Sequence, residues 1–115
     1  MLIRCAFFEG HVKPGCEDRF AAFVKERLVP LWTKFPGATE VRVLRQRESD
    51  TLQPHYAMVL AIKYPDMAAI EQAMKSDVRN QSREETAELV KLFEGRIFHT
   101  IFDMAHDVVL VKLST

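Results

Sequence analysis

The sequence predicts an α+β fold, two helices on one face of a four-stranded antiparallel sheet, and three observations predict it. Strand-like and helix-like segments follow one another as strand, helix, strand, strand, helix, strand within 115 residues. The segment His55 to Tyr64 (His-Tyr-Ala-Met-Val-Leu-Ala-Ile-Lys-Tyr) is apolar in the middle of both its period-two faces and is bounded by Pro54 and by Pro65-Asp66, which marks a strand covered on both sides. Right-handed crossovers in the two halves then place the first and third strands in the middle of the sheet.

Residues 2 to 9 alternate loosely and read as the first strand, ended by the turn residues Gly10, Pro14 and Gly15. From Glu17 to about Phe35 the apolar positions Phe20, Phe23, Val24, Leu28, Leu31 and Phe35 recur at steps of three and four, the stripe of an amphipathic helix. Glu17 and Asp18 in its first turn complement the helix dipole. Pro30 has no N–H to donate, so a kink or break is expected near Arg27. Pro36-Gly37 stops the helix. Thr39 to Gln46 mixes charged and apolar residues on its faces and reads as a strand near a sheet edge, joined to the next by the polar run Glu48 to Pro54.

The third strand carries Tyr56, Met58, Leu60, Ile62 and Tyr64 on one face and His55, Ala57, Val59, Ala61 and Lys63 on the other; the small side is expected to admit the helices. Asp66 is placed to cap a helix with Met67, Ile70, Ala73 and Met74 on its apolar side. Ser76 can cap a second piece, or Ser82-Arg83-Glu84-Glu85 a later one, running through Leu89, Val90 and Phe93 to a terminal cap at Gly95. Arg96 to Met104 alternates Ile97, His99, Ile101 and Asp103 against Phe98, Thr100, Phe102 and Met104, the last strand. Within the single domain expected over residues 1–115, the segment 107–115, with Val108 to Leu113 at its centre, reads as one more short strand or an arm. The topology is that of a ferredoxin-like sandwich.

The composition is that of an ordinary globular chain, 48% hydrophobic and 28% charged. Sixteen basic and sixteen acidic side chains balance, which argues against nucleic acid or an anionic membrane surface as partner. No apolar run reaches the length of a membrane span, and no charged start with an apolar leader opens the chain, so a cytoplasmic location is expected. Cys5 and Cys16 lack metal-site spacing and are expected to be reduced thiols. The helices can shelter one sheet face only, yet the first, third and fourth strands carry large apolar side chains on both. Leaving several of them in water costs roughly 1.5–3 kcal/mol each. A twofold partner packed sheet against sheet removes that cost, and a homodimer is expected.

A Val-Lys-Pro-Gly turn, a helix ending in Phe-Pro-Gly, a strand pair, a Tyr-Pro-Asp helix start and the run Phe-Glu-Gly-Arg-Ile-Phe-His together resemble the dimeric α/β-barrel superfamily, in particular EthD-like and stress-responsive barrel proteins. The likeness spans nearly the whole chain and lies in layout, not in catalytic signatures. It implies a range of activities: cofactor-free monooxygenases of polyketides, heme-degrading oxygenases, muconolactone-type isomerases, and members without a known reaction. The Asn, Trp and His of the heme-degrading members do not map here, because Trp32 is on the first helix beside a proline and Asn80 is in the second helical region. No cofactor is expected.

Histidine suits proton transfer near neutral pH, which singles out His99 and His55 as candidate bases, with His11 in a turn and His106 past the last strand set aside as solvent-exposed. His99 shares a strand face with Asp103, but four residues span about 13 Å along a strand, so the two can line one cavity without touching. Trp32, Tyr56 and Tyr64 offer rings to a planar ligand, although aromatics at such spacing more often build a core or an interface. Arg4, Arg42, Arg45 and Arg96 read as surface charges, any of which would anchor a carboxylate or phenolate if held in a cavity; Arg45 is the candidate ligand residue among them. No converging ligand spacing predicts a metal, and no phosphate-binding glycine loop predicts a nucleotide. Two readings stand. In one, a small dimeric enzyme binds a hydrophobic, aromatic or polyketide-like molecule between sheet and helices and oxidises or isomerises it with a histidine base. In the other, a non-enzymatic stress-associated or binding dimer uses the sheet face as interface alone. An enclosed pocket of some 300 Å³ between the paired sheets, with His or Arg pointing inward, would favour the first.

Overall fold

The computed structural model describes residues 1–112. Its sheet has the order β2-β3-β1-β4, all neighbours antiparallel, with β1 at Leu2–Val12, β2 at Glu40–Leu44, β3 at Tyr56–Tyr64 and β4 at Phe93–Asp103. The long strands β1 and β3 are central, as crossover handedness requires, and the short mixed β2 is an edge.

The first helical region begins as α1 (Glu17–Phe23), widens into a single π-type turn over Val24–Leu28, and resumes as α2 (Val29–Trp32). Pro30 explains the wide turn: without its N–H the carbonyl four residues back loses its partner, and the chain loosens by one residue there. The second region is α3 (Met67–Met74) and α4 (Asp77–Leu89). Asp66 Oδ1 accepts from the Ala69 N–H at 2.9 Å and Ser76 Oγ from the Arg79 N–H, so both pieces are capped by their own first residues. Ser82 lies inside α4 and starts nothing.

All the helices pack on one face. Phe20, Val24, Leu28, Trp32, Ile70 and Leu89 from the helices meet Ala6, Phe8, Met58, Leu60, Ile62 and Tyr64 from the strands in one core. The helices thus lie on the large side of β3, not on the side of Ala57, Val59 and Ala61 where the sequence placed them. Bulky side chains fill the gap between a sheet and the helices above it, whereas small ones leave the other face flat.

Two glycines read as breaks prove to be strand residues. Gly10 and Gly95 pair across β1 and β4, at φ of 140° and 151°. A Cβ on Gly95 would lie 2.0 Å from the Glu9 carbonyl oxygen, and one on Gly10 would lie 2.1 Å from that of Glu94. This close approach carries β1 on to Val12 and starts β4 at Phe93, so the helix ends in a short 3₁₀ turn (Val90–Leu92) and Gly95 caps nothing. A bulge opposite Phe8/Glu9 sets Tyr56 across from Glu9 and moves it off the Met58 face. Its ring centroid lies 5.5 Å from that of Phe7.

The other face carries Phe7 stacked on Phe98 at 5.0 Å, Phe102 edge-on to Phe7, and Val59 and Ala61 beside them. Phe102 is 47% exposed and Leu44 52%. Residues 104–112 follow without regular structure, and Val108, Val109, Leu110 and Val111 are exposed. The strand proposed from Val108 is absent over the described residues, and Leu113 lies outside them. Among the described residues no helix is long and apolar enough to cross a membrane.

Candidate functional site

A cavity of about 390 Å³ lies on the helix-covered face, between the sheet and the pair α2 and α4. It is not in the space that a paired sheet would enclose. Alternate residues of the strands reach it: Arg4, Ala6 and Phe8 from β1, Leu60, Ile62 and Tyr64 from β3, Ile97 and His99 from β4. Trp32 closes one side. From α4 come Arg79, Ser82, Arg83 and Thr86, at the three- and four-residue steps of one helix face. That face is polar where a helix lying on a sheet would ordinarily present large apolar side chains, so the space is not filled.

The lining holds three arginines and a histidine but no carboxylate. Ion pairs among the described residues engage Arg27, Arg42, Lys63, Lys91 and Arg96, and leave Arg4, Arg79 and Arg83 without one. The Arg79 guanidinium donates to the Met74 carbonyl oxygen at 3.4 Å and to no acid. Arg4 is half-buried; desolvation first, and the neighbouring charge of Arg79 second, pull its pKa below the ordinary value. Tyr64 is fully buried and its hydroxyl finds no hydrogen-bond partner. Burial raises the Tyr64 pKa, against a smaller opposing pull from Arg4. Ser82 and Thr86 are satisfied locally, donating to the carbonyl oxygens of Arg79 (2.8 Å) and Ser82 (2.7 Å).

His99 stands on the edge strand with one flank in solvent and the other against the cavity. Desolvation there, then the charges of Arg4 and Arg79, hold its pKa below 6.5. At neutral pH its imidazole is therefore uncharged and able to accept a proton.

Of the residues marked in the sequence, His99 and Trp32 meet at this cavity. Arg45, His55 and Tyr56 gather at the opposite end of the sheet, in a more open depression of about 670 Å³ that also includes His11 and Glu17. There His55 stacks on His11 at 4.1 Å and donates its Nδ1 proton to the Gly10 carbonyl oxygen at 2.8 Å, which anchors the ring to the backbone. Asp103 sits exposed at the end of β4 opposite Leu2 and lines neither hollow. Tyr64, marked in the sequence as a ring for a planar ligand, also lines the cavity with His99 and Trp32; Arg79 and Arg83 were not singled out, and Arg4 only as one of four surface charges. The signal was present in α4: Arg79, Ser82 and Thr86 occupy inward positions of a helix whose apolar stripe is otherwise thin, with Arg83 exposed at the cavity rim.

Among the described residues no three His, Cys, Asp or Glu side chains converge as metal ligands. No family model and no curated protein matches the sequence. Solved structures do match. An ethyl tert-butyl ether d (EthD) family protein from Bacillus halodurans superposes with a TM-score of 0.68 at 20% identity, over 90% of this chain and 97% of that one. SnoaB, a cofactor-independent oxygenase from Streptomyces nogalater, gives 0.65 at 17% identity over 93% and 95%. A dimeric ferredoxin-like protein of unknown function from Jannaschia gives 0.64 at 20% identity over 89% and 97%. The architecture built above from strand order, crossovers and a one-sided helix layer is the ferredoxin-like α+β fold that these structures share.

Proposed function

We propose that this chain forms a homodimer through its open sheet face, and that each copy binds a hydrophobic, aromatic or polyketide-like molecule in the cavity beneath α4, where His99 acts as the base of a cofactor-free oxidation. One observation carries the reading: a cavity walled by Trp32, Phe8, Leu60 and Ile62 holds an uncharged histidine beside cations that no carboxylate neutralises. A planar apolar ligand fits the walls. A phenolic hydroxyl on it can pass its proton to His99, and the surrounding positive charge stabilises the phenolate that results.

An electron-rich phenolate can itself reduce dioxygen. One oxygen atom bonds to a ring carbon as a hydroperoxide; loss of water then leaves a carbonyl there, giving a quinone. The substrate supplies all the electrons, which is why the chemistry requires a base and a dry pocket and no cofactor. SnoaB, of the same fold, is a cofactor-independent oxygenase, which agrees with this reading. An isomerisation would use His99 the same way, moving a proton between two carbons.

The dimer part of the proposal rests on the Phe7, Phe98 and Phe102 cluster, on exposed Leu44 and on the apolar Val59 and Ala61, which no element of the chain covers. The protein is incubated under air with a dihydroxynaphthalene and no added metal or flavin, and quinone formation is followed by absorbance together with oxygen uptake. His99→Ala should abolish turnover and leave the dimer intact. Turnover unchanged in that variant would remove His99, and an empty, inert cavity across a panel of aromatic phenols would leave the non-enzymatic dimer as the better reading.

A further inference from the structure

We propose that the ligand of this cavity is an aromatic acid, whose carboxylate is seated between Arg4 on β1 and Arg79 on α4; the inference rests on the cavity being a ligand site. A phenolate formed during turnover calls for one stabilising charge. The cavity supplies two facing guanidinium groups from different elements, with a third, Arg83, one turn along α4 from Arg79. Both line one hollow, the charge of Arg79 is felt at Arg4, and no carboxylate of the described residues lines the hollow with them.

Like charges placed together in a half-buried hollow repel, and such an arrangement is ordinarily relieved by an acidic side chain. Among the described residues that relief is absent here. A planar carboxylate has the two oxygens that guanidinium forks match, and it would neutralise the repulsion. A second observation points the same way. Tyr64, fully buried at the cavity floor beside Arg4, has a hydroxyl with no hydrogen-bond partner among the described residues. Polar groups at this end of the cavity therefore outnumber the partners the fold provides, while the Trp32 and Phe8 end is apolar. The ligand that satisfies both ends carries an anionic head on an aromatic body. His99 lines the same cavity as Arg4 and Arg79, so the ligand carries its acid group and its ionisable hydroxyl on one aromatic body, as in a hydroxy aryl acid.

The test uses a matched pair of probes, 1-hydroxy-2-naphthoic acid and its neutral amide. Binding is read from the fluorescence of Trp32, the one tryptophan of the chain, which lines the cavity. The acid should bind at least about tenfold more tightly than the amide. Arg4→Gln and Arg79→Gln should each weaken the acid by about tenfold and leave the amide unchanged, with circular dichroism reporting the fold of each variant. The comparison of acid with amide on the unaltered chain needs no variant to fold. Equal affinity for acid and amide would overturn the carboxylate seat while leaving the cavity as a ligand site. Binding of neither probe would overturn both. Inorganic phosphate binding in preference to the acid would overturn the assignment to an aromatic acid, since it would make the two arginines a seat for a free anion.

Discussion

Tyr64→Phe should make this protein more stable. Tyr64 has 0% of its surface exposed, and its hydroxyl is sequestered without a hydrogen-bond partner. A buried polar group left unsatisfied costs about 1–3 kcal/mol, because water that solvated it in the unfolded chain is not replaced. Phenylalanine keeps the ring and its place in the core. The void left by one oxygen, on the order of 10 Å³, costs only about 0.2 kcal/mol at the usual cavity coefficient. The desolvation effect wins, and the net gain is about 1–3 kcal/mol. For a chain of this size that corresponds to a rise of roughly 4–12 °C in Tm. Equilibrium urea unfolding should show a higher midpoint at unchanged slope, provided both proteins are compared at one concentration, since dimerisation adds to apparent stability. A second signature is available at alkaline pH. Burial raises the Tyr64 pKa above its ordinary 10.0, so the unfolded chain loses that proton first; wild-type stability falls as pH rises past 10.0 toward the folded value, and the Phe variant lacks that component. A Phe variant less stable than wild type would refute the reasoning, because it would mean the hydroxyl is bonded in solution.

The His99 pKa, held below 6.5 by desolvation and by Arg4 and Arg79, implies that turnover stays level from neutrality down past 6.5 and falls only as pH passes through the lowered value; a midpoint at or above 6.5 would contradict it. For stability the sign is the same: the unfolded chain takes up the proton first, so stability drops as pH falls from 6.5 through the folded pKa, and His99→Gln should remove that component. Phe102→Glu, on the uncovered face at a position already 47% exposed, should leave the protomer folded and convert the dimer to monomer in sedimentation velocity; a wild-type chain that is itself monomeric at micromolar concentration would remove the dimer. Gly95→Ala places a Cβ 2.0 Å from the Glu9 carbonyl oxygen and should cost on the order of 3 kcal/mol in thermal or urea unfolding, parting β1 from β4.

Where the sequence was legible, a local pattern and the global fold agreed. Asp66 and Ser76 cap the helices they precede, Pro30 loosens the helix it interrupts, and the doubly apolar third strand is central. The misreadings occur where a distant partner decides. Gly10 and Gly95 look like punctuation until one lies against the other, 85 residues apart in sequence. Tyr56 follows the period of β3 until a bulge, set by pairing with β1, displaces it. The side of β3 that faces the helices turns on how much volume the gap demands, which periodicity does not encode. The same holds for the site. His99 and Trp32 were visible as residue types suited to chemistry, but Arg4, Tyr64 and Arg79 gain their meaning only from being brought to one hollow without a carboxylate among them.

That hollow sets apart the two readings with which the sequence ended. A protein needing only a dimer interface has no use for a gap on its covered face, and a leucine at Ser82 or Thr86 would reach into it, each such burial contributing roughly 1.5–3 kcal/mol. The chain instead places side chains there that hydrogen-bond back to their own helix, beside arginines that repel one another and above a tyrosine hydroxyl with nothing to bind. Each of these lowers the stability of the free protein, and they coincide in one place. Losses of that kind are tolerated where activity requires them. Scattered over the surface they would mean little; concentrated at the hollow that His99 lines, they favour a site that a ligand completes over a core that failed to fill.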